Sequence, residues 1–161
     1  MYVDIIFSTF IYTKRTKMEC EIAVVNSDKT QIKNILENTK TIAIIGCSPN
    51  VEKASNKVAV YLQNAGYKII PVYPKEDTIL GEKVYKNLTD IPKDIQVDMV
   101  DIFRKPDVIM SVVDESIKRG DVKYIWTQLG LVNNKAGEKA VESGLEVVQN
   151  HCTKIEHAYY M

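Results

Sequence analysis

The sequence predicts an α/β fold, a single domain built on a doubly wound parallel sheet of five strands. Three observations carry this expectation. Short apolar, β-branched runs recur along the chain, and three of them follow directly on a helical stretch closed by glycine. The links between these units are short, which favours right-handed crossovers and parallel strands. One run, Thr41–Ile45, is continuously apolar rather than alternating, as a strand buried on both faces requires.

Taken in order, Asp28 is placed to cap a helix running to about Asn38, with Ile32, Ile35 and Leu36 forming its apolar stripe. The first strand, Thr41–Ile45, stops at Gly46. A helix over Lys57–Ala65 ends at Gly66, before a second strand over Lys68–Tyr73. A third strand spans Val97–Phe103. Pro106 suits the first turn of the next helix, Asp107–Arg119, because its missing N–H costs nothing there. Gly120 closes that helix ahead of a fourth strand, Lys123–Thr127. Ala136–Ser143 is helical, Gly144 ends it, and Leu145–Val148 is the fifth strand. The topology is Rossmann-like, and the preferred strand order, numbered along the chain, is 3-2-1-4-5.

The expected organisation is an N-terminal extension over 1–27, the domain over 28–157 and a short tail over 158–161. The apolar stretch Met1–Tyr12 carries Asp4, and its basic cluster, Lys14 to Lys17, follows the apolar part rather than preceding it, unlike a secretory leader. It reads as an appendage, with Met18 as the natural start, or alternatively as an extra edge strand. No apolar run reaches the ~20 residues that a membrane-spanning helix needs.

The 161 residues hold 21 Lys+Arg against 21 Asp+Glu. That balance argues against a non-specific nucleic-acid binder or a polybasic membrane adhesin. It leaves room for a small anionic ligand. Cys20, Cys47 and Cys152 are odd in number and lack CxxC spacing, which suits reduced thiols in a cytoplasmic protein.

Ligands of open parallel sheets sit beyond the carboxyl ends of the strands, where the strand order reverses. That rule selects Gly46–Asn50, Val72–Lys75, Ile102–Lys105, Thr127–Gly130 and Gln149–Cys152. The first segment lacks G-x-G-x-x-G, but Gly46 permits close backbone approach and Ser48 offers a hydroxyl. Ser55 or Asn56 is expected to cap the following helix, whose first N–H groups suit a phosphate. A plain strand-to-helix turn is the structural alternative. The second segment has no carboxylate until Glu76, where an NAD site usually has an acid; Lys75 favours a phosphorylated ribose, as in NADP or coenzyme A. A solvated lysine after a turn is the alternative. Arg104, one of three arginines, presents a fork suited to phosphate, or else pairs with Asp101 or Asp107. Trp126 reads as core or pocket wall.

No catalytic constellation can be assigned, since both His151 and His157 lie at the end of the chain. A Cys47–Cys152 redox pair would join loops about 10 Å apart in the expected strand order, farther than the ~7 Å a disulfide allows. A metal site at Cys152, His151 and His157 lacks the remaining ligands of a structural zinc site.

In order and spacing, these segments resemble the CoA-binding domain family, the small single-domain relatives of the N-terminal domain of the succinyl-CoA synthetase alpha subunit. The resemblance rests on Ile42–Pro49, Gly66–Pro74, Ile79–Gly81 with Tyr85 and Leu88, Val100–Pro106, Trp126–Gly130, Ala140–Gly144 and Asn150–Cys152. It covers residues 28 to 157. It implies that coenzyme A or an acyl-CoA lies across the strand ends. Gly46 and Ser48 would line the phosphate loop, with Lys53, Ser55 and Lys57 flanking it. Val72, Tyr73, Pro74 and Lys75 would hold the adenosine end, and Phe103, Arg104 and Gln128 would line the remaining cleft. The family commonly has Asn where Tyr73 stands and Arg near Lys53. Tyr73 forgoes a compact amide, and Lys53 keeps the charge without the bidentate fork. The larger synthetases owe their catalysis to further domains, so the implied role is binding without catalysis, alone, as a homo-oligomer or beside an acyl-CoA enzyme. The alternatives are an NAD(P)-dependent oxidoreductase and a CoA-linked thiol protein acting through Cys47 or Cys152.

Overall fold

The computed structural model describes residues 21–161, so Cys20 and the apolar stretch Met1–Tyr12 lie outside the described residues. The elements are α1 (Lys29–Asn38), β1 (Thr41–Ile45), α2 (Ala54–Asn64), β2 (Lys68–Val72), a small hairpin of β3 (Thr78–Ile79) and β4 (Glu82–Lys83), and a 3-10 turn at Leu88–Asp90. They continue with β5 (Met99–Ile102), α3 (Pro106–Arg119), β6 (Tyr124–Thr127), α4 (Asn134–Glu142), β7 (Glu146–Val148) and α5 (Thr153–Tyr160). Five strands form one parallel sheet, ordered β2-β1-β5-β6-β7.

The α/β class and the five parallel strands match the expectation; the strand order does not. Numbered along the chain, the large sheet reads 2-1-3-4-5 rather than 3-2-1-4-5. The reason lies in β2. Pro71 has no N–H to give a ladder, so its strand belongs at an edge. On its outer side it bonds Tyr85, whose N–H donates to the Pro71 carbonyl at 3.1 Å and whose carbonyl accepts from Tyr73 N–H at 2.9 Å. The third strand, β5, therefore pairs with β1, Asp101 lying opposite Ile44.

Alternate side chains of each central strand serve opposite cores. On one face Ala43, Ile45, Val100 and Ile102 meet Ile109, Val112 and Val113 of α3 and Ala136 and Ala140 of α4. On the other, Ile42, Ile44, Met99 and Trp126 meet Ile32, Ile35 and Leu36 of α1 and Val58, Ala59 and Leu62 of α2. This two-sided burial is why β1 reads as an unbroken apolar run. Asp28 caps α1 as expected, its carboxylate accepting from Gln31 N–H at 2.9 Å while Gln31 Oε1 accepts from Asp28 N–H at 2.8 Å. Pro106 starts α3, and Gly120 ends it with φ at +81°.

Two features have no counterpart in the sequence reading. The end of the chain is the helix α5, whose N-cap, Cys152, makes no side-chain capping bond, so the usual start signal is missing. Residues 24–27 run beside the outer strand β7. Ser27 N–H donates to the Val147 carbonyl at 2.8 Å, and the Asn26 amide bonds both the N–H and the carbonyl of Gln149. A side-chain amide thus stands in for a strand partner on an exposed edge.

The connection between β2 and β5 is anchored by Arg119. Its guanidinium donates to the carbonyls of Ile91 (2.7 Å) and Ile95 (3.0 Å) and pairs with Asp121 at 2.9 Å. The side chain is 2% exposed and Asp121 24%, so removing the guanidinium strands buried carbonyls as well as a partly buried carboxylate. Arg119→Met is expected to lower unfolding stability by about 3 kcal/mol, measured by urea denaturation, with the segment around Leu88 losing amide-exchange protection first.

Candidate functional site

The order β2-β1-β5 puts the topological switch between β1 and β5. The chain leaves β1 for α2 on one face of the sheet and leaves β5 for α3 on the other. Gly46 follows β1, and Phe103 and Arg104 follow β5. The two turns press together: a Cβ on Gly46 would sit 2.9 Å from Arg104 Cδ and 3.2 Å from the Phe103 carbonyl oxygen. Gly46 also has φ at +84°, a conformation that side-chain-bearing residues rarely adopt. Its N–H and that of Cys47 donate to the Val72 carbonyl, so the loop is tied across to β2 as well.

A cleft of about 350 Å³ opens on the α3 side of this junction. Gly46, Val72, Tyr73, Pro74 and Arg104, all selected from the sequence, line it together with Lys86, Asn87, Leu88, Ser111 and Glu115. The sequence reading did not assign the last five to the site. They come from the turn after β4 and from α3, segments whose polar residues look like ordinary solvated surface.

The phosphate-loop candidates sit across the junction, at the start of α2. That helix begins at Ala54, about one turn earlier than expected, with Lys53 and not Ser55 or Asn56 at its N-cap. Ser55 and Asn56 are buried inside the helix instead and bind back to the loop. Ser55 Oγ accepts from Ser48 N–H at 3.0 Å, and Asn56 Nδ2 donates to the Ser48 carbonyl at 2.9 Å. The Ser48 hydroxyl oxygen accepts from Asn50 N–H at 3.1 Å. Lys53 makes no side-chain cap. Lys57 and Glu52 form an exposed pair at 3.4 Å. Among the described residues, Lys53, Lys75 and Arg104 are in no ion pair; the alternative pairing of Arg104 with Asp101 is not formed, because Asp101 is buried among other partners. Lys75 is exposed just past Pro74. Phe103 is half-buried against the α2-side core.

Residues 40–158 match the family described as the CoA binding domain. The chain belongs to that family. It is 38% identical over 133 residues to the uncharacterized protein YneT of Bacillus subtilis, an alignment covering 83% of this chain and 96% of that one. A hypothetical protein from Pyrococcus horikoshii superimposes with a TM-score of 0.79 at 37% identity, over 87% of this chain and 96% of that one. An ADP-forming acetate–CoA ligase of Methanocaldococcus jannaschii is 27% identical over 74% of this chain, but the match takes up only 18% of the ligase.

Within this CoA-binding-family domain, three further sequence-selected groups lie inside the protein rather than at its mouth. Gln128, expected in the cleft, is 5% exposed; its Nε2 donates to Asp101 Oδ1 at 2.7 Å and to Thr153 Oγ1 at 2.8 Å. Thr153 in turn donates to Asp101 Oδ2 at 3.0 Å. Trp126 is fully buried, its Nε1–H donating to the His151 carbonyl at 2.8 Å. Cys47 is fully buried, and burial, with the nearby Asp101 charge, pushes its thiol up to about 12, so Cys47 offers no thiolate for exchange near neutral pH. In the observed order β1 and β7 are three places apart, about 14 Å at the usual strand spacing, rather than the two places of the sequence reading. Cys152 is half-buried at the start of α5. The two histidines are used locally: His151 Nδ1 lies 2.8 Å from Glu156 Oε1, and His157 Nδ1, in α5, lies 3.0 Å from the Tyr61 hydroxyl.

Asp101 is the one fully buried carboxyl at the strand ends among the described residues. Burial pushes it from its ordinary 3.8 up to about 7, opposed by bonds from Gln128, Thr153 and the Ile102 backbone. The folded state thus holds this proton more tightly than the unfolded chain. The stabilisation is complete below about pH 4 and is lost as pH rises through about 7. Denaturation between pH 5 and 8 should show wild-type stability falling with pH more steeply than that of Asp101→Asn. Gly46→Ala is expected to cost about 1–2 kcal/mol from the backbone alone, and its methyl must displace Arg104 from the cleft mouth. Urea titration and a crystal structure of the variant check both effects.

Proposed function

We propose that the protein binds coenzyme A or an acyl-CoA across the C-terminal ends of β2, β1 and β5, without acyl chemistry of its own. The observation that carries this reading is the cleft at the switch point, bounded by Gly46 and Arg104, in a chain of the CoA binding domain family. The adenosine end would occupy the cleft against Val72, Tyr73 and Pro74, with Lys75 and Arg104 available to the 3′-phosphate. The diphosphate would cross Gly46 towards Ser48 and the start of α2. There the uncapped first turn and Lys53, with Lys57 beside it, supply N–H dipoles and positive charge. Ser55 would act by holding Ser48 in place, and Phe103 by packing beneath Arg104's turn. Gln128 would contribute through the buried Asp101–Thr153 network rather than by touching the ligand.

The ligase of which this chain matches 18% supports the division of labour: acyl transfer would fall to a partner enzyme. The neutral charge balance suits a small anionic ligand met by a few local cations, and the free thiols of Cys47 and Cys152 suit the reducing cytoplasm as its place.

Isothermal titration with coenzyme A, dephospho-CoA and NADP tests the reading. Coenzyme A should bind, and lack of binding at millimolar concentration would rule the proposal out. Lys75→Ala and Arg104→Ala should each weaken coenzyme A by about tenfold, the value of one charge-assisted hydrogen bond, while changing dephospho-CoA much less.

A further inference from the structure

The segment after β2 lacks the acid that dinucleotide sites usually place there, but the folded cleft contains a carboxylate brought from elsewhere. Glu115 lies on α3, four residues after Ser111, so both project from the same helix face, and both line the cleft that Tyr73 and Pro74 also line. Glu115 is half-buried. Among the described residues it takes part in no hydrogen bond and no ion pair, whereas its neighbour Asp114 pairs with Lys139 at 2.6 Å. Burial, with the charge of Asp90 adding to it, raises the Glu115 carboxyl above the usual carboxylate range. A half-desolvated acceptor with no donor is costly, and a ligand that brings a donor recovers that cost.

The adenosine end of coenzyme A carries two kinds of donor. The ribose 2′-hydroxyl stands beside the 3′-phosphate, whose negative charge would oppose a carboxylate. The exocyclic amino group of the adenine is far from any phosphate. We propose that Glu115 reads the base, accepting an N–H of the adenine amino group while Tyr73 and Pro74 provide the apolar wall against the ring. This inference rests on the coenzyme A reading and adds a residue that selects 6-aminopurines.

The test compares adenosine 3′,5′-bisphosphate with the purine riboside 3′,5′-bisphosphate that lacks only the amino group, titrated into wild type, Glu115→Ala and Glu115→Gln, with coenzyme A alongside. Wild type should prefer the amino compound by about tenfold. Glu115→Ala should abolish that preference by weakening the amino compound alone, and Glu115→Gln should retain most of it, because its amide oxygen still accepts. Thermal melts of both variants verify folding. Equal preference in wild type and Glu115→Ala, or equal weakening of both ligands, would overturn the inference while leaving coenzyme A binding intact. Failure of wild type to bind either coenzyme A or the bisphosphate would overturn both readings.

Discussion

Much of this molecule follows from β2 standing at the edge of the sheet. Pro71 cannot extend a ladder outward, so the third strand of the sheet returns past β2 to pair with β1. From β1 and β5, now neighbours, the chain leaves for helices on opposite faces. A gap between their ends is unavoidable in that arrangement. Gly46 lets the two turns close to contact, and Arg104 lies over it. The cleft is therefore a consequence of topology, and its side chains come from loops that the topology gathers.

Charge is arranged locally rather than in sum. The chain has equal numbers of acidic and basic residues, yet Lys53, Lys75 and Arg104 stand at one end of the sheet without ion-pair partners among the described residues. Just beneath that end, Asp101 is withdrawn from water among Gln128 and Thr153. The same buried network joins the central strand to the turn after β6 and to the first residue of α5. Gln128, expected from the sequence in the cleft, is held in this network instead.

The strand and helix positions were legible because each depends on local pattern. Thr41–Ile45 is apolar at every position since both of its faces are buried, and Gly120 ends α3 by the backbone conformation it alone adopts cheaply. The start of α2 was less legible: Ser55 and Asn56 look like caps, but they bond to Ser48 across the loop, a contact that spacing does not reveal. The helix α5 carries no capping side chain, and the Asn26 contact with Gln149 spans more than a hundred residues. Pro71 did hold a signal for the strand order, since a proline inside a strand points to an edge.

By itself, then, the sequence determined the α/β class, the five strands, and the family resemblance that the match over residues 40–158 bears out. Those depend on periodicity, turn residues and short ordered motifs. Only the tertiary structure decided the order 2-1-3-4-5, the burial of Gln128 and Cys47, and the presence of Lys86, Asn87, Ser111 and Glu115 in the cleft. Those depend on which distant segments share a surface, and a polar residue on a helix looks the same in sequence whether it faces solvent or a cleft wall.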